Sequence, residues 1–174
     1  MLVVESKKGF AMKVAWAGIF IAVSAASAPV WSADDVSLWR LAICRDSWLD
    51  WRANDSVQLK TFGDDFQAHF SRSGSGGYFV PKTSKSIEGL PVVQVFPESV
   101  GMGVGFSVVV GATFAKTQKT LERALGKALK KCDVSDNMRT CELAIWEKRT
   151  LMLMAEDNAK STKTLLGCYY YYEK

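Results

Sequence analysis

The 174-residue chain has a single histidine, His69, four cysteines without a C-x-x-C pair, four prolines, and no amino-terminal apolar run long enough to span a membrane. Each scarcity excludes something. A zinc site takes three or four imidazole, thiolate or carboxylate ligands at characteristic spacings, which the lone histidine and the scattered cysteines do not provide, so no metal is expected. The apolar stretch Val14 to Ala28 holds 15 residues, with Ser24 and Ser27 among them, against about 20 for a spanning helix. Neither charge dominates: 22 basic against 18 acidic side chains is too even for a protein held by clustered Lys and Arg on phosphates, so nucleic acid is not an expected partner. The motifs H-E-x-x-H, S-x-x-K and G-x-S-x-G do not occur, which leaves no recognisable hydrolase signature and no expected cofactor.

What is present begins with an address. Lys13, the apolar run and the small residues Ala26-Ser27-Ala28 follow the charged, apolar, small-residue order of a secretory leader. Residues 1–32 read as a signal peptide cut near Ser32 or Ala33, with Met12 a second candidate start. "LAIC", Leu41 to Cys44, has the look of a lipoprotein acylation box, but Asp34, Asp35 and Arg40 separate it from the apolar run, and that reading is rejected. Losing Lys7, Lys8, Lys13 and Glu5 with the leader takes the 22 basic and 18 acidic groups to 19 and 17. Residues 33–174 remain as one domain, large enough to bury most of its apolar surface. The expected location is periplasmic or secreted, with no stable membrane span after cleavage.

All four cysteines fall in the mature part, where an oxidising compartment turns an even count into disulfides. Three pairings are open. Eight turn-rich residues, "DVSDNMRT", separate Cys132 from Cys141, so that loop closes easily and leaves Cys44 to meet Cys168.

Along the chain, Leu38, Leu41, Cys44, Trp48 and Trp51 recur at three-and-four spacing and predict one helix from Asp35 to about Ala53. Phe66, Ala68 and Phe70 alternate with Gln67 and His69, the pattern of a half-buried strand, before the glycine-rich tip "SRSGSGG" at 71–77 and a returning strand in "GYFVP". "KTSKSIEG" reads as a loop, "LPVVQVF" as a strand and "GMGVGFSVVVGATF", 101–114, as a central strand. Leu121, Leu125 and Leu129 at intervals of four predict an amphipathic helix from about Thr117 to Lys131. "CELAIWEKRTLMLMA" and "TLLGCYYYYEK" read as two antiparallel strands, with "EKRT" at 147–150 a turn in its own right as the alternative. The sum is an α+β fold: an antiparallel sheet of about five or six strands, two amphipathic helices packed on one face, and two disulfides.

Three stretches invite chemical readings that their spacing refuses. "GMGVG" lacks the third glycine and the directly following helix of a dinucleotide site; Gly101, Gly103 and Gly105 instead share one strand face on which something bulky can pack closely. "SGSGG" is followed by no Gly-Lys-Ser/Thr, so it is a hairpin tip rather than a phosphate loop. Asp65, His69 and Ser71 would share one side of the expected strand, but at about 3.3 Å per residue Asp65 and His69 would lie roughly 13 Å apart, too far for a triad. "NDS", Asn54 to Ser56, is a glycosylation acceptor only in a eukaryotic host.

Two features suggest binding. Lys119, Arg123, Lys127 and Lys130 make a basic stripe opposite the leucines, suited to an acidic partner or an anionic surface. Of Tyr169 to Tyr172, alternate residues face opposite ways in a strand, which leaves Tyr170 and Tyr172 as a candidate docking pair. With Arg72 and Ser75 of the hairpin tip, these residues define the expected binding surface. The expected function is an exported, disulfide-stabilised, non-enzymatic protein that recognises another protein, most concretely a periplasmic inhibitor or immunity factor. The alternatives are a small envelope hydrolase using His69 with distant carboxylates, and an envelope assembly or stress component binding peptidoglycan or lipid.

Overall fold

A computed structural model describes residues 33–53, 57–74, 77–97, 99–100, 103–130, 132–146 and 148–170. The leader, Ser75, Gly101 and Tyr172 lie outside the described residues. The helices are α1 (Ala33–Ala42), α2 (Trp48–Ala53), α3 (Val57–His69) and α4 (Phe114–Leu125). The strands are β1 (Phe70–Arg72), β2 (Phe79–Pro81), β3 (Ser86–Ile87), β4 (Leu90–Phe96), β5 (Ser99–Val100), β6 (Gly103–Val110), β7 (Cys132–Ser135), β8 (Met138–Trp146), β9 (Arg149–Glu156) and β10 (Thr164–Tyr170).

The strands form a large antiparallel sheet in the order β1-β2-β4-β6-β10-β9-β8-β7, with β3 hydrogen-bonded to β4 and β5 to β6. Alternation sorts each inner strand into two faces. Phe106, Val108 and Val110 of β6, Leu166 and Cys168 of β10, and Leu151 and Leu153 of β9 are all buried on the face that meets Leu38, Leu41 and Trp48 of the helical layer. Each such large side chain removed from water contributes about 1.5–3 kcal/mol. Cys44, at the corner between α1 and α2, is bonded to Cys168 of β10, and Cys132 of β7 to Cys141 of β8.

The expected central strand is β6, between β4 and β10, and "LPVVQVF" is β4. Other expectations need correcting. The single helix over 35–53 is two helices, because Cys44 takes a left-handed backbone (φ 61°) and Ser47 restarts the chain by accepting the Asp50 N–H at 3.2 Å. Its inward stripe survives the break: Leu38, Leu41, Cys44 and Trp48 are all buried.

Of the strand expected over Phe66–Phe70, residues Phe66 to His69 are the end of α3 and only Phe70 begins a strand, β1. Phe66 and Phe70 also belong to a period of four that starts at Phe62, and that period wins: the three rings stack in sequence at 5.3 and 4.5 Å. Ala68, the third member of the alternating pattern, is exposed. Helix α4 begins one turn earlier than expected, where Thr113 accepts the Lys116 N–H, and it ends at Leu125 because Gly126 adopts the left-handed cap (φ 69°).

The sheet is larger than the expected five or six strands because short turns hide strands within apparent loops. Glu88-Gly89 and Asp136-Asn137 both place two successive residues at positive φ, the geometry of a two-residue hairpin turn. The first turns "KTSKSIEG" back as β3, and the second divides the expected Cys132–Cys141 loop into β7 and the start of β8. The expected pair of carboxy-terminal strands is three, β8, β9 and β10, with Lys148 in the turn after β8.

Candidate recognition surface

Helix α4 has its buried side on Thr117, Thr120 and Leu121, which leaves Lys116, Lys119 and Arg123 exposed. Gly126 redirects the chain, so Lys127 and Lys130 are exposed beyond the helix rather than on one continuous helical stripe. Leu129 still reaches the core, its N–H donating to Glu122 Oε1 at 3.0 Å.

The corner between α1 and α2 comes up against this helix. Arg45 Nη2 donates to the Ala124 carbonyl at 3.0 Å, one of the carbonyls a helix leaves without an internal partner at its end. That bond sets Arg45 beside the turn of α4 that carries Arg123. Arg40 lies at the same corner, its Nε and Nη2 donating to the two Asp46 oxygens at 2.8 and 2.7 Å. Its hydrogen bonds to Asp46, and then the charge of that carboxylate, hold the Arg40 guanidinium above its ordinary range. A pocket of about 300 Å³ opens here, lined by Trp39, Arg40, Arg45, Glu88, Thr120, Arg123 and Ala124. With Arg40 balanced by Asp46, Glu88 is the one carboxylate among the described residues lining the pocket beside Arg45 and Arg123. The pocket therefore carries excess positive charge, in the fork geometry that suits carboxylates and phosphates.

The other expected site residues scatter. Arg72 is exposed at the end of the edge strand β1 and does not line the pocket. Tyr170 is not a docking residue. It is only 5 % exposed, and its hydroxyl accepts the Trp48 N–H at 2.9 Å. Burial raises the Tyr170 phenol above its ordinary range, partly offset by that bond. Among the described residues, the large aromatic side chain left to solvent is Trp146, 62 % exposed, with the Arg149 guanidinium 5.5 Å above its ring. His69 Nδ1 lies 3.1 Å from the Asp65 carbonyl, one helical turn back; a carbonyl only accepts, so this bond places the proton on Nδ1. Among the described residues no group of three His, Cys, Asp or Glu side chains is placed to hold a metal, and no helix is long and apolar enough to cross a membrane.

The glycine face of the central strand is filled as its spacing implies. Tyr169 lies over Gly103, where a Cβ would overlap its ring. Trp39, Arg40, Arg45 and Glu88 are the site residues that sequence reasoning missed. The available signal was Arg40 and Arg45 on either side of Cys44 in the sequence. Compared with protein-family models, with curated proteins and with solved structures, the chain matches none.

Proposed function

We propose that this is an exported, disulfide-stabilised binding protein of the periplasm, most concretely an inhibitor or immunity factor, which recognises an acidic surface of another protein without catalysing a reaction. The single observation that supports the reading is the Arg45–Arg123 pocket, one side of which is the α1–α2 corner cross-linked to β10. Arginine and tryptophan are the side chains that most often dominate protein interfaces, and the Arg45 guanidinium, already held by the Ala124 carbonyl, loses little freedom on binding. Lys119 and Lys127 extend the positive field around the pocket and steer an acidic partner towards it.

Capture from periplasmic extract at two salt concentrations tests this. The wild-type protein retains a partner that the Arg45→Glu/Arg123→Glu variant loses, and retention falls as salt rises. Arg123→Glu alone, which leaves the bond to Ala124 in place, gives the same direction with a smaller loss. A partner retained equally by wild type and both variants removes the pocket from the interface. Binding to anionic vesicles, with no protein retained, favours the envelope-surface reading of the same basic residues.

A further inference from the structure

The sheet has a second face, turned away from the helices. Met154, Leu165 and Val109 point to it, while their neighbours Leu153, Leu166 and Val108 are fully buried in the core. The register puts the three side chains in line: Met154 pairs with Leu165, and Leu165 with Val109. Thr140 continues the row on β8, with Met138 beside it. At about 4.8 Å between strands, the row runs roughly 10–15 Å across the sheet. It floors a groove of about 380 Å³ whose rim is the β9–β10 connection, with Lys160, Ser161, Thr162 and Lys163.

The charges at this rim are uneven. Glu156, the acid of the groove, already has Oε2 accepting from Asn158 Nδ2 at 2.9 Å. Lys160 and Lys163 are exposed, and neither ammonium has an acidic partner among the described residues. Two lysines against one glutamate leave this rim net positive, and an apolar floor ending at that charge fits a ligand with a hydrocarbon tail and an anionic head.

We propose that the groove binds a medium-chain fatty acid, its tail along the Met154–Leu165–Val109 row and its carboxylate at Lys160 and Lys163. The floor itself decides against a peptide. Strands β8, β9, β10 and β6 each have a neighbour on both sides, so their backbone groups are taken, and a peptide lying on them would leave its own amides without partners, at a cost of about 1–3 kcal/mol each. A polymethylene chain has no such groups. Methionine, with three rotatable bonds and a polarisable sulfur, adapts to a flexible tail, and the volume falls within the range of about 300–1,000 Å³ usual for small-ligand sites. The site lies on the opposite side of the sheet from the arginine pocket and does not depend on it.

Calorimetric titration of the intact, disulfide-bonded protein with dodecanoate, below its micellar concentration, tests the proposal. Saturable one-to-one binding is expected, weakened at least tenfold in Lys160→Glu/Lys163→Glu and in Met154→Glu. Dodecyltrimethylammonium, with the same tail and the opposite charge, should bind at least tenfold more weakly. Reversing two exposed lysines leaves the core intact, and an unchanged unfolding midpoint verifies it. No saturable binding, equal affinity for the two amphiphiles, or dodecanoate binding indifferent to the lysine reversal overturns the proposal. So does sedimentation with phosphatidylglycerol vesicles by a protein that ignores monomeric dodecanoate, because the lysines would then serve a lipid surface instead.

Discussion

The two disulfides tie together regions of opposite character. Cys44–Cys168 joins the helical corner to the interior strand β10 across 124 positions of sequence, and both residues are fully buried among Leu41, Phe106 and their neighbours. Cys132–Cys141 joins directly opposed residues nine positions apart in the edge hairpin β7–β8, where every residue of β7 is exposed. In the first region packing and cross-link reinforce each other. In the second, the cross-link supplies order that the edge strand cannot obtain from burial.

The largest test of that contrast is removal of the core bridge. Cys44→Ala/Cys168→Ala should cost about 5 kcal/mol, the loop-entropy value for a span of this length, which rivals the whole stability of a small domain. Denaturant unfolding measures it. Cys132→Ala/Cys141→Ala should cost about half as much, on the order of 2.5 kcal/mol, with faster amide exchange confined to β7 and β8. Equal losses in the two double variants, or exchange spreading into β6 and β10, would break the comparison.

Smaller effects probe how the buried region is packed. Gly103→Ala should cost about 1–3 kcal/mol, the usual range for overpacking, because its methyl group must displace the Tyr169 ring; thermal unfolding and tyrosine fluorescence report it. Tyr170→Phe should cost about 1–2 kcal/mol by leaving the buried Trp48 N–H without its acceptor. The same residue sets an alkaline limit. Its phenol is raised in the folded protein by burial, so its contribution is complete below about pH 10, where the unfolded side chain is still protonated. It declines as pH rises through the higher folded value, because the unfolded chain gives up the proton first. Between pH 9 and pH 11 the wild type should therefore lose more stability than Tyr170→Phe, and equal losses would show that the phenol is not protected by the core.

Much of the fold was legible where the determining interactions are local or covalent. The pairing of Cys132 with Cys141 followed from a short loop, the buried stripe of Leu38, Leu41, Cys44 and Trp48 from helical periodicity, and the β6 strand from a valine run punctuated by glycine. The errors share a cause. Phe66 and Phe70 satisfy both a period of two and a period of four, and only Phe62 on the same helical face resolves the ambiguity. Asp136-Asn137 looked like part of a loop because turn residues do not reveal that strands continue on both sides of them. The candidate surface was less legible than the fold: Arg123 was identified, but its companions Arg40 and Arg45 lie some 80 positions away in sequence, and Tyr170 was placed on the wrong side of the core boundary.

Within the described residues, the sequence by itself determined where apolar faces and tight turns fall, because those depend on backbone periodicity and the φ preferences of a few adjacent residues. Only the tertiary structure decided which of those faces are covered. Tyr170 lies under Trp48, Arg45 reaches Ala124, and Met154, Leu165 and Val109 line up across three strands because long-range pairing sets the order and register of the sheet. Burial belongs to that arrangement, and no short stretch of the chain carries it.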